Sequence, residues 1–225
     1  GVLAKFADKI IFVPIFTQAD YAVYVNGAWE VPAVAIIVDA MVAVLLPELR
    51  VAFHRGDLGR MRELMHFAAR RIAFMLFPVA AGGFMIAPEM MVLLFGEEFR
   101  DSGEIFRILV LLVPFRVSVA TLILLAAGQT RTVLIGTVID LVLAVTVGLA
   151  LIPWIGMWGP AVALVFSTFC QVSFYLFRTA SVLGQKFTRI LPWRSLGRLG
   201  LLSCGVAYFA SFALQFEQTV ANVFA

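Results

Sequence analysis

Charge is scarce in this sequence, and its scarcity sets the class. Asp, Glu, Lys and Arg make up 14% of the 225 residues, where a soluble domain carries about a quarter. The hydrophobic share is 62% and the mean hydropathy +1.00. So little polar surface cannot cover a globule of this length in water, so lipid is the solvent for most of the chain. In lipid every backbone N–H and C=O must pair internally, which leaves helices or closed barrels. The apolar runs are long and do not alternate, which excludes the barrel pattern. Cysteine and histidine are nearly absent. Cys170 and Cys204 lie inside apolar helical runs and read as small buried hydrophobes, not as a disulfide or metal pair. His54 and His66 are not spaced as metal ligands and read as solvated or headgroup-facing. There is no Ser/His/Asp set, no Cys/His metal spacing and no glycine-rich phosphate loop. No enzyme activity and no cofactor is therefore expected. No signal-peptide pattern follows Gly1, and the apolar residues 219–225 read as an element cut midway. The chain is expected to be a fragment of a longer membrane protein.

What the sequence does have is long uncharged stretches. Between Arg131 and Arg178 lie 46 residues with one charge, Asp140. As helix they would run roughly 69 Å at 1.5 Å per residue, against a hydrocarbon core about 30 Å thick. That is two crossings, with the turn written in the middle by Pro153, Gly156, Gly159 and Pro160. Seven helical segments follow from the same reasoning. They span 2–16, 19–46 with a kink at Pro32 and an end at Pro47, and 57–87 with Asp57 as N-cap. The rest span 102–127 capped by Ser102, 130–152, 161–183 and 196–216. A short helix, 88–95, precedes Gly96. The first turns of the third helix, 59–71, are amphipathic and belong in water or at the headgroups.

The basic residues sort by side. Arg50, Arg55, Arg60, Arg62, Arg70, Arg71, Arg131, Arg178, Lys186, Arg189, Arg194 and Arg198 fall on one side of the membrane. Only Arg100 and Arg107 fall on the other, among Glu89, Glu97, Glu98, Asp101 and Glu104. Cytoplasmic loops carry the Lys/Arg excess, so the basic loops 47–71 and 184–198 are expected inside a multi-pass cytoplasmic-membrane protein. The formal charge of +3 is thereby a topology signal and gives no reason to expect nucleic acid. Contact of the last basic loop with anionic membrane lipids is a further expectation.

Ionised groups at membrane depth are costly and therefore point to function. The candidates are Asp8, Lys9, Glu30, Asp39, Arg116 and Asp140. Arg116 lies 12 residues before Gly128 and Asp140 lies 11 after Gln129. On an antiparallel hairpin both sit roughly 17 Å from the turn. They are expected to pair if they face each other, either as a lock for the hairpin or as the lining of a hydrated cavity. On the second helix, Tyr21, Tyr24 and Asp39 share a 60° sector at 100° per residue. That face either lines a cavity or anchors the tyrosines at the interface. Asn26 and Glu30 lie opposite.

The order of several motifs resembles the C-terminal half of polysaccharide and lipid-linked oligosaccharide flippases of the MOP exporter superfamily, which includes the MATE drug exporters. The residues are Asp8-Lys9, the run from Ala19 to Tyr24, Pro47 with Gly56-Asp57, and Leu94-Phe95-Gly96-Glu97-Glu98-Phe99. They continue with Ala126-Ala127-Gly128-Gln129-Thr130-Arg131 and with Pro153, Gly156, Gly159, Pro160 and Ala161. Pro160 stands where alanine is common. The resemblance implies an all-α integral membrane fold: a six-helix transmembrane bundle over 1–183, the C-terminal lobe of a MATE-like fold. Residues 184–225 add a basic loop and one extra transmembrane helix. The missing N-terminal half would supply the other bundle, with the cavity alternating between inward and outward access. By resemblance the substrate is a polyprenyl-pyrophosphate-linked glycan. Arg116 or Lys9 would meet its pyrophosphate, and Asp8, Asp39 or Asp140 would carry coupling protons or sodium. The rivals are a MATE-type drug exporter with a more apolar, acidic cavity, a membrane polysaccharide polymerase or ligase, and a purely structural membrane subunit. The enzyme reading lacks an outer loop with a nucleophile and base.

Overall fold

A computed structural model of the chain describes the backbone of residues 15–117 and 119–224, with side chains as far as residue 210. Its helices are α1 (Gln18–Gly27), α2 (Pro32–His54), α3 (Leu58–Met85), α4 (Ala87–Phe95) and α5 (Ser102–Val110). They continue as α6 (Ala120–Ala126), α7 (Thr130–Ile155), α8 (Trp158–Leu183) and α9 (Trp193–Phe224). A 3-10 segment, Val113–Val117, stands between α5 and α6. The expected first helix, with Asp8 and Lys9, lies outside the described residues apart from Ile15 and Phe16.

The expected second helix is two. Thr17 caps α1, its hydroxyl accepting from the Asp20 amide at 3.2 Å. Val31 is extended, φ −62° and ψ 113°, and Pro32 opens α2. The proline ring disfavours helical backbone in the residue before it, so the anticipated kink is a full break at residues 28–31. Pro47 does not end α2, which runs on to His54. Pro47 and Ala43, whose carbonyl loses its helical partner, are exposed, while Leu45 and Leu49 on either side of Pro47 pack inward and hold the helix through it.

Asp57 caps α3 as expected, accepting from the Arg60 amide at 2.8 Å after the Gly56 turn. Ser102 caps nothing. It is the first residue of α5, and its hydroxyl donates to the Val23 carbonyl at 2.9 Å, tying α5 to α1. The two helices approach at Gly27, where a Cβ would stand 2.6 Å from the Ser102 carbonyl oxygen. Tyr24 is fully buried beside Ile105 and Ala161.

The α7–α8 turn is tighter than the four-residue signature suggested. Pro153 falls inside α7, Gly159 and Pro160 inside α8, and Gly156 at φ 58° carries the reversal. The main core runs along α3 through Met61, Met65, Ile72 and Leu76, and takes in residues of α2, α5, α6 and α8. α9 packs against α3. His66 on α3 donates from Nε2 to the Arg189 carbonyl at 3.1 Å, so the start of α3 and the loop before α9 share one end of the bundle.

Among the described residues α2, α3, α7 and α8 are long and apolar enough to cross a membrane, and the α5–α6 pair, bent by 43°, passes the same test when taken as one broken span. Large apolar side chains face outward along them, among them Phe74, Leu134 and Phe177, with Trp154 85% and Ile36 67% exposed. Outward-facing apolar surface on that scale is suited to lipid. The chain is an all-α membrane protein.

Candidate functional site

The site is built on a seam between α7 and α8 that follows a four-residue period. On α7 the period places Thr132, Gly136, Asp140, Ala144 and Gly148 on one face, and on α8 it places Ser167, Gln171, Tyr175 and Thr179. Residues four apart share a helix face. The first stripe is small, which lets two backbones approach closely in lipid; the second is polar and bonds across. Tyr175 donates its hydroxyl to the Val133 carbonyl at 2.7 Å and lies 3.3 Å from the Thr137 hydroxyl. Gln171 Nε2 donates to the Gly136 carbonyl at 3.2 Å. Thr179 donates to the Ala120 carbonyl at 3.3 Å, fixing α8 to α6.

On the other side of this seam lies a cavity of about 500 Å³ between α2, α3, the α5–α6 span and α8. Most of its wall is apolar, including Val38, Met41, Val42 and Ile72. Its polar groups are Thr121, Thr168, Gln171, Tyr175 and one cation, Arg116. Arg116 sits on the 3-10 segment, where the span is interrupted. Its Nη2 donates to Glu30 Oε1, in the break between α1 and α2. One ion pair therefore joins the two interruptions. The arrangement offers a guanidinium and several hydroxyl and amide groups to a polar, anionic guest.

The expected Arg116–Asp140 pair does not form; the guanidinium goes to Glu30 instead. The expectation treated 102–127 as one straight helix. The 3-10 segment rises about 2.0 Å per residue with three residues per turn, and the 43° bend turns Arg116 away from the face that equal depth would give it. Asp140 stands in the α7–α8 seam beside Ser167, with its Oδ1 buried and without a hydrogen-bond partner. Of the sequence candidates among the described residues, Arg116 borders this cavity, whereas Tyr24 is packed, Tyr21 is half-buried and Asp39 is exposed. Glu30 was seen as a membrane-depth charge but not as the partner of Arg116, 86 positions away. Gln171 and Tyr175 were missed, although their four-residue period with Ser167 and Thr179 was there to be read.

The profile of the family described as lipid II flippase MurJ matches residues 10–222. The chain belongs to the MurJ family. Its members are transporters of a lipid-linked precursor, and helices long and apolar enough to span a membrane fit that class. No curated protein and no solved structure matches the chain. The match to the MurJ profile extends to residue 222, within α9.

Proposed function

We propose that this chain forms the C-terminal bundle of a transporter that flips a polyprenyl-pyrophosphate-linked glycan, lipid II by the family's name, across the cytoplasmic membrane. Residues 1–183 are the bundle proper, and residues 184–225 add the basic loop and one helix. A preceding bundle supplies the facing half of the cavity, and access alternates between the two sides. The basic loops 47–71 and 184–198 face the cytoplasm, a placement supported by the His66–Arg189 bond that brings them to one end.

The observation that carries this reading is the cavity of about 500 Å³ with Arg116 as its cation. A guanidinium is matched to phosphate oxygens in charge and in fork geometry. The threonines, Gln171 and Tyr175 offer hydrogen bonds to sugar hydroxyls, while the polyprenyl tail stays in lipid. A cation-coupled drug exporter would want an acidic wall, and the charged residue on this largely apolar wall is Arg116. Asp140 carries the coupling proton or sodium: its buried, unpartnered oxygen beside Ser167 is a place where a small cation would be bound favourably. Asp8 and Lys9, with Asp39, remain candidates for the same traffic.

Flipping of lipid II by the intact transporter in proteoliposomes tests the reading. A hydrogen bond to a charged group contributes about 1.5–3 kcal/mol, so Arg116→Ala is expected to lower flipping by roughly ten- to a hundredfold. Unchanged flipping would remove Arg116 from the headgroup site.

A further inference from the structure

The Glu30–Arg116 pair has features that a simple brace does not need. Both side chains stand partly open, 41% and 36% exposed. An ion pair that open is weak and readily exchanged. Glu30 sits in the break between α1 and α2, at residues 28–31, and Arg116 in the 3-10 segment 113–117 of the bent α5–α6 pair. Helices bend where their hydrogen-bond ladder is broken, so the pair links two points at which the bundle can flex. Arg116 also lines the cavity. Any anion entering there meets a guanidinium already engaged by a carboxylate.

We propose that Glu30 is a resident stand-in for the substrate's diphosphate. This rests on the reading of Arg116 as a headgroup-binding cation. In the empty transporter the Glu30 carboxylate occupies the guanidinium. A diphosphate brings more negative charge and more acceptor oxygens than one carboxylate, and it takes Arg116 over. Glu30 is then released, and the tether between the α1–α2 break and the α5–α6 break is cut. Loading thereby frees two hinge points at once, and departure of the headgroup lets the tether re-form. Glu30 is a positioning residue: it acts on binding only through Arg116, by competing for it.

Titration of inorganic pyrophosphate and of a polyprenyl diphosphate into the intact transporter, alongside lipid II flipping, tests the exchange. Glu30→Gln removes the competitor, so both probes are expected to bind about five- to tenfold tighter while flipping slows severalfold. Glu30→Asp keeps the competing charge and is expected to bind as the wild type does. Arg116→Gln is expected to weaken binding at least tenfold, and the double variant Glu30→Gln/Arg116→Gln to bind as Arg116→Gln alone. Melting temperatures near that of the wild type establish that each variant folds. Binding by Glu30→Gln that is unchanged or weaker, with Arg116→Gln still weakened, would make the pair a brace and overturn the exchange alone. Binding unaltered by Arg116→Gln would overturn the headgroup reading and the exchange with it.

Discussion

Substitution of Gly136 by alanine is the sharpest probe of the α7–α8 seam. A Cβ at this position would lie 2.2 Å from Tyr175 Cε1, 2.7 Å from Cζ and 2.8 Å from the hydroxyl oxygen. A ring on the surface would swing away. Tyr175 is only 5% exposed and belongs to the main core cluster, so it moves only by disturbing its neighbours or by prying the helices apart. Overpacking of this kind costs about 1–3 kcal/mol. The displaced hydroxyl also loses its 2.7 Å bond to the Val133 carbonyl, about 1 kcal/mol more. Alanine returns about 1 kcal/mol as the better helix former. The net loss is about 1–3 kcal/mol, and each kcal/mol is worth roughly 2–4 °C for a chain of this size. Thermal unfolding of the transporter in detergent measures it. Combining Gly136→Ala with Tyr175→Leu should recover much of the loss, a coupling that a double-mutant cycle isolates. A single variant as stable as the wild type, or strictly additive effects, would refute the packing argument.

Three further outcomes follow from the same geometry. Asp140→Asn should leave the protein as stable or more so, since it removes a buried charge with an unpartnered oxygen, while flipping loses its dependence on a proton or sodium gradient; a variant with unaltered ion dependence would exclude Asp140 as the coupling site. Asp57→Ala should cost about 0.5–2 kcal/mol through loss of the α3 cap, read as a lower detergent melting temperature; no change would mean that water replaces the cap. A cysteine placed at Lys186 should react with a membrane-impermeant maleimide only after the cytoplasmic face is opened; labelling in intact cells would reverse the orientation.

Much of the fold was legible because lipid leaves a helix few options. The run between Arg131 and Arg178, with Asp140 as its one charge, gave the hairpin, Gly128 the preceding turn, and Asp57 the start of α3. Prolines were the least reliable marks. Pro32 starts a helix because Val31 takes the extended region, whereas Pro47, Pro78 and Pro153, all exposed, fall inside helices. Residue type alone does not separate these cases. Ser102 had the chemistry of a cap but was spent on a carbonyl 79 positions earlier. The site was half legible. Counting residues from a turn gives depth along the hairpin, and that put Arg116 and Asp140 at the same level. It gives no azimuth once the 3-10 segment intervenes, so the true partner, Glu30, could not be chosen. The stripes on α7 and α8 were visible as a period of four, but a period shows a face and not what that face will meet.

The two breaks have one more effect. Each break adds a helix end and a helix start in which main-chain amides and carbonyls lack intrahelical partners, and the Glu30–Arg116 contact joins the two breaks through the arginine that lines the cavity. Hydrocarbon cannot solvate such groups; water can. On the transport reading proposed above, the chamber stays wet between loads and the return stroke closes around liquid rather than around an oily gap. A prenyl chain then gains nothing by following its sugar inside, and the separation of greasy tail from soluble head needs no dedicated filter.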